Sequence, residues 1–241
     1  FVSQKHTTMT IISIILALSA SLSAPLSTAP DHSAWDELLQ KHVSEDGAVD
    51  YKGFKKDRKA LQAYLDKLAA RHPMDSWSRD EKLVYWVNAY NAFTVKLILD
   101  HYPVKSIKDI HNGNPWDVKW IELGKRTYSL NQIEHDVIRP HYAEPRIHFA
   151  VNCAAKSCPP LLNRAFTVEH LEAYLEQQTK SFINNEAYNK VQPNALKLSQ
   201  IFNWYGEDFG DVAAYVDQYT PTSVKPGAKI TFMDYNWALN D

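Results

Sequence analysis

Residues 78–101 cannot form a surface helix. Leu83, Val84, Trp86, Val87, Tyr90, Ala92, Phe93, Val95, Leu97 and Ile98 fall on most sides of the cylinder. A surface helix shows one apolar stripe, whereas a helix apolar around most of its circumference has to be enclosed. Ser78 and Glu81 are spaced as a capping box that opens this helix, and Tyr102-Pro103 closes it. The rest of the chain must supply the enclosure. With 241 residues, 45% hydrophobic and 22% charged, it has the size and composition to do so.

The enclosing pieces are shorter. Residues 33–43 place Trp35, Leu38, Leu39 and Val43 at helical spacing, and 54–70 do the same with Leu61, Tyr64, Leu65 and Leu68. Residues 118–122 and 126–128 flank Gly124 as a hairpin, and 190–191 and 195–198 flank Pro193-Asn194 as another. Ser129 and Gln132 form a second capping box, opening a helix over 130–138 that Pro140 should close. Residues 146–152 read as a buried strand, 167–183 as a helix, 201–219 as partly helical and 229–232 as a last strand. No repeat or Gly/Ser-rich linker divides the chain. The expectation is one α+β domain over residues 30–241, predominantly helical, with the long central helix buried against a small antiparallel sheet.

Ahead of this domain, residues 11–20 (IISIILALSA) are an apolar run of about ten followed by small residues. Such a run is too short for a bilayer core of about 30 Å. It reads as a signal peptide over 1–24, which implies a periplasmic or secreted protein with no stable membrane anchor after signal removal. The 26 Lys plus Arg against 28 Asp plus Glu give a net charge of −2, so there is no basic field for nucleic acid. The 7 Trp and 13 Tyr favour a firm core and a groove for a peptide or glycan ligand. Export would also permit a disulfide, and the two cysteines are Cys153 and Cys158.

Several polar residues stand out against this background. Asn88 and Asn91 share a face in the middle of the apolar helix, where an amide costs stability unless paired. They either pin loop backbone or line the floor of a site. Glu134 and His135 are adjacent in a helix and point about 100° apart, so His135 as a base would need another partner. Along a strand, His148, Ala150 and Asn152 would share one face, and Phe149, Val151 and Cys153 the other. Cys153 at the strand end suits a nucleophile if the next turn offers backbone N–H groups. Lys156 or His135 could favour its thiolate. The alternative is a Cys153–Cys158 disulfide. A helix would hold the two Cα atoms about 7.5 Å apart along its axis and a strand about 17 Å apart, while a bridge needs about 4.4–6.8 Å. Bridging therefore requires residues 154–157 to fold back, which Pro159-Pro160 favours. His148, Cys153 and Cys158 lack the spacing of zinc motifs, and no phosphate loop or hydrolase elbow is present, so no metal or cofactor is expected. Glu207 and Asp208 read as a turn entering a helix.

Four motifs occur in order: Trp86-Val-Asn88-Ala-Tyr90-Asn91-Ala, Ser129-Leu-x-x-Ile133-Glu134-His135, His148-Phe-Ala-x-Asn152-Cys153-x-x-x-Ser157-Cys158-Pro159, and Phe202-x-Trp204-Tyr205-x-x-Asp208-Phe209. Together they resemble the bacterial branch of the family of domains of unknown function numbered 547, over about residues 75–210. The resemblance implies a secreted or envelope protein and no established reaction. Papain- and transglutaminase-type thiol hydrolases carry Cys at the start of the central helix. Here that helix carries Asn88, and Cys153 follows later. Two readings result. One is a thiol-dependent hydrolase or acyl transferase with Cys153 as nucleophile, His135 as base and Asn88 as orienting group, and with Asn91, Glu134, His148, Ser157 and Cys158 as binding residues. The other is a non-enzymatic envelope binding module stapled by Cys153–Cys158.

Overall fold

The computed structural model describes residues 28–241, so the expected signal segment lies outside the described residues. Its centre is α4 (Arg79–His101), buried along most of its length. The capping box forms: Glu81 N–H donates to Ser78 Oγ at 3.1 Å, and Ser78 N–H to the Glu81 carboxylate at 2.6 Å. Around α4 pack α1 (Ser33–His42), α2 (Tyr51–Lys56) and α3 (Arg58–Ala70). Trp35 stacks on Tyr64 at 5.8 Å, and the Tyr85 hydroxyl donates to the Leu68 carbonyl at 2.9 Å. The single helix expected over 54–70 is broken at Asp57. The Asp50 carboxylate accepts from Gly53 N–H and starts a separate turn ahead of it.

The fold is mixed α+β and mostly helical, with two small sheets. The strands β1 (Ile121–Leu123) and β2 (Arg126–Tyr128) are the antiparallel hairpin around Gly124, with Glu122 opposite Thr127. Ile121 and Leu123 are buried in the α4 core, and Tyr128 meets Trp86 edge-on at 5.4 Å. The second sheet is mixed: β3 (Lys190–Gln192) runs antiparallel to β4 (Ala195–Leu198), and β5 (Lys229–Phe232) lies parallel to β4. It belongs to a second core, with Phe149, Phe182, Leu196, Leu198, Phe202 and Phe209. Phe149 lies 5.2 Å from the Phe182 ring and 5.7 Å from those of Phe202 and Phe209. The helix α6 (Leu171–Ile183) and the short helices α7 (Ile201–Trp204), α8 (Gly206–Phe209) and α9 (Val212–Asp217) complete it.

Two sequence expectations need correction. The second capping box forms, but residues Gln132–Ile138 are a π-helix, in which Arg139 N–H reaches the Glu134 carbonyl five residues back. Pro140 does not close the helix: it sits in the first turn of α5 (Arg139–Tyr142). Proline lacks the N–H of the α-helical ladder and crowds the carbonyl four residues earlier, and a widened turn relieves both problems. Residues 146–152 are not a strand. Pro145–Phe149 form a 3-10 helix with Pro145 in its first turn and the Glu144 carboxylate accepting from Arg146 N–H. A short apolar run does not distinguish a buried strand from a buried helical turn, and here proline and cap decide.

Residues 236–240 bind the pieces together. Asn236 N–H donates to Ser157 Oγ, Lys156 N–H to the Ala238 carbonyl and Asn240 N–H to the Ala154 carbonyl. Leu239 N–H bonds the Lys105 carbonyl, and Val49 N–H bonds that of Asn240. The Asn240 side chain accepts from Tyr51 Oη at 2.8 Å and donates to Asn152 Oδ1 at 3.2 Å. No helix among the described residues is long and apolar enough to cross a membrane.

Candidate functional site

A cavity of about 240 Å³ opens where the two cores meet. Tyr90 and Val151 come from the α4 side, and Ile201, Tyr205 and Tyr235 from the other. Glu134, His148, Cys153 and Cys158 contribute a carboxyl, an imidazole and two thiols, and no Lys or Arg lines the cavity. Its mouth is aromatic. Trp237 lies 5.4 Å from Trp116 and 4.5 Å from Tyr235, and the half-exposed Trp204 stacks on Trp237 at 5.8 Å.

The cysteine turn is held from below by α4. Asn91 donates to the Ala150 carbonyl at 2.9 Å and accepts from Asn152 N–H at 2.8 Å. Asn88 makes the same pair of bonds with the main chain of Phe166. Asn152 in turn donates to the Pro159 carbonyl and accepts from Ala154 N–H. Ala154 adopts φ +61°, a left-handed conformation that costs energy in any residue with a Cβ. That reversal brings Ala155 N–H back onto the Cys153 sulfur.

Cys153 and Cys158 are free thiols, so the expected bridge is not formed. Residues 154–157 do fold back, but Cys158 Sγ is aimed at Cys153 N–H, 2.9 Å away. The Cys153 sulfur also lies 3.2 Å from the Tyr235 hydroxyl. The Cys158 thiol, more than any other group, holds the Cys153 pKa below its ordinary value; the Tyr235 hydroxyl and Ala155 N–H add to this and burial opposes it. Burial, reinforced by the neighbouring sulfur, pushes Cys158 well up. Cys153 is therefore the more acidic thiol of the pair, and Cys158 the one placed to donate to it.

On the opposite wall, His148 Nε2 lies 2.7 Å from Asp208 Oδ2. Arg139 grips both oxygens of Asp208, at 2.6 and 2.9 Å, and with the His148 bond this holds that carboxyl down to about 2 despite some burial. An ionised Asp208 accepts the Nε2–H proton, which leaves Nδ1 of a neutral imidazole as a lone pair. Burial lowers the His148 pKa, against the pull of Glu134 and Asp208. Nδ1 has no hydrogen-bond partner, and its nearest carboxylate oxygen is Glu134 Oε1 at 3.9 Å. Tyr205 stacks on His148 with ring centroids 3.9 Å apart and bonds to Glu134. Burial, with the Glu134 charge, pushes the Tyr205 hydroxyl far up, so it donates to the carboxylate.

The structure thus gathers Glu134, His148, Cys153 and Cys158 around one cavity and leaves the other expected site residues outside it. His135 points away, with Nδ1 accepting from Arg139 Nη1 at 3.0 Å, so the imidazole in the cavity is that of His148. Asn88 and Asn91 spend their amides on main chain behind the turn. Ser157 Oγ accepts from Asn236 N–H. Arg139, Tyr235 and Trp237 escaped the sequence reading. Tyr205 and Asp208 stand within a motif, where Asp208 reads only as an acid at a helix start, because nothing local shows what they face. Among the described residues, no three His, Cys, Asp or Glu side chains are placed to hold a metal ion.

A model of the family described as "Protein of unknown function, DUF547" matches residues 74–183. The match supports a domain of that family over this stretch, which holds α4, the π-helix and the cysteine turn. It ends before the Trp204-Tyr205 motif, short of the extent expected from the sequence. Comparison with curated proteins and with solved structures gave no match.

Proposed function

We propose that this cavity is the active site of a thiol-dependent hydrolase or acyl transferase. The reading rests on one juxtaposition: a thiol lowered by three donors opens into the same cavity as a neutral imidazole with a free lone pair. Cys153 thiolate attacks a carbonyl carbon. The C–S bond forms and the leaving group departs, giving a thioester. His148 Nδ1 then takes a proton from the incoming water or other nucleophile as that nucleophile attacks the thioester. The C–S bond breaks to release the acyl product and the Cys153 thiolate, and the imidazolium passes its proton to the departed leaving group or to solvent. Glu134 and Asp208 flank the resulting imidazolium, and Arg139 and Tyr205 are positioning residues for the pair. His148 thus replaces His135 in the base role, and Asn88 holds backbone. Export to the periplasm or medium, on the strength of the apolar run 11–20, is part of the same proposal.

Iodoacetamide followed by peptide mass analysis tests it. Cys153 should be alkylated far faster than Cys158, and its rate should level off at a lower pH than the same thiol in the urea-unfolded chain. Turnover of aryl esters and thioesters should vanish in Cys153→Ala with folding intact. Full turnover in that variant, or alkylation no faster than in urea, overturns the mechanism. A binding module remains the second reading, favoured by the exposed Trp204 at the aromatic mouth.

A further inference from the structure

We infer that the cavity takes a primary ammonium group on an apolar body, its nitrogen seated between the Glu134 carboxylate and Nδ1 of His148. This names the substrate class for the reading above, and rests on that reading only for what becomes of the amine once bound.

Glu134 is 4% exposed and His148 is 2% exposed, yet no cation lines the cavity. The nearby guanidinium of Arg139 is already held by both oxygens of Asp208 and by His135. Glu134 has only the shared charge of Arg139 and the Tyr205 hydroxyl to offset its burial, and a cationic ligand would offset more of that cost. The second acceptor is the orphaned Nδ1, fixed as a lone pair by the bond from Nε2–H to Asp208. At 3.9 Å from Glu134 Oε1 it is too distant to share a proton with it directly. One nitrogen seated between them would stand about 2.9 Å from each, and because Nδ1 is fully buried its entry moves the side chains that cover that atom. An ammonium brings three donors and a positive charge to this pair. A hydroxyl brings one donor and no charge, and a carboxylate or phosphate meets repulsion from Glu134. The walls suit the apolar body of such a ligand: Tyr90, Tyr205, Tyr235, Trp204 and Trp237 line the cavity, although Arg139 already lies over the Tyr205 ring and Lys108 over that of Trp237. As for size, a cavity of roughly 150 Å³ holds benzene. The 240 Å³ here therefore admits one ring with an aminomethyl arm, or a lysine side chain.

Titrating the intact protein at pH 7 with benzylammonium, benzyl alcohol and benzoate, followed by tryptophan fluorescence, tests this. Benzylammonium should bind at least about tenfold tighter than the alcohol, and benzoate weakest. Glu134→Gln, with its melting temperature as the folding control, should erase that preference, and Cys153→Ala should keep it. Equal or tighter binding of the alcohol, or an undiminished preference in folded Glu134→Gln, overturns the inference. The two claims fail separately. Esters that acylate Cys153 without any ammonium preference sink only the amine site. Benzylammonium binding with no acylation sinks only the thiol mechanism.

Discussion

The core around α4 and the core around Phe149 bury their side chains by different means. The first is built from helices of 10, 13 and 23 residues, whose periodicity places each apolar residue. Its remaining gaps are closed by amide pins such as Asn88 to Phe166 and Asn91 to Ala150 and Asn152. The second core gathers rings from a 3-10 turn, three helices of 4 to 6 residues, one longer helix and a small mixed sheet. No single element there dictates the packing, and Phe149 is the ring around which the others meet. The cavity takes residues from both cores. Part of its wall is therefore set by one rigid helix, and part by contacts between segments far apart in the chain.

Truncating the central ring strains this contrast most. Phe149→Ala should cost about 3–5 kcal/mol in urea unfolding, as large-to-small changes in a packed core do. Asn91→Ala, its counterpart in the first core, strands one carbonyl and one N–H and should cost about 2–4 kcal/mol. A loss below about 1 kcal/mol for Phe149→Ala would mean that the second core is not a packed unit.

Acid sharpens the comparison. Burial, opposed by Asp31, lowers His32 in the first core to about 4 from its ordinary 6.5. The unfolded chain therefore takes up this proton first as pH falls. The contribution to stability is complete above pH 6.5 and lost progressively towards pH 4, up to about 3 kcal/mol. Melting between pH 7 and 4 should show this slope, and His32→Asn should flatten it. His148 shifts in the same direction, so any slope left in the variant includes the second core's share. An unchanged slope would remove His32 from the account.

The smallest effect on stability is expected at the seam. Cys158→Ala should change folding by only about 1–2 kcal/mol, as a small buried side chain does. Because Cys158 is the main group lowering Cys153, the pH midpoint for Cys153 alkylation should move up. An unmoved midpoint would assign the lowering to Tyr235 and Ala155 instead.

What could be read from the sequence follows the same division. The buried α4, both capping boxes, both hairpins and the strand at 229–232 have local signatures, and all form. The site was less readable because its geometry depends on two local exceptions. A strand at 146–152 and an α-helix at 130–138 would each have turned side chains differently from the 3-10 and π turns that occur. With those turns misassigned, His135 seemed the available imidazole and His148 faced away from Cys153. Tyr235 and Trp237 reach the cavity through the run after β5, where no periodicity marks them.

The clasp made by residues 236–240 bears on how the protein is made. A chain growing from its amino end produces Cys153 and Cys158 well before residue 240, whose side chain and main chain lock that turn to the first helices. Until translation has passed that point, the Cys153 sulfur has neither Tyr235 nor its clasp. The clasp on the cysteine turn can therefore close only after residue 240 has been made, and a ribosome stalled short of residue 235 would present a thiol that lacks the Tyr235 contribution to its acidity.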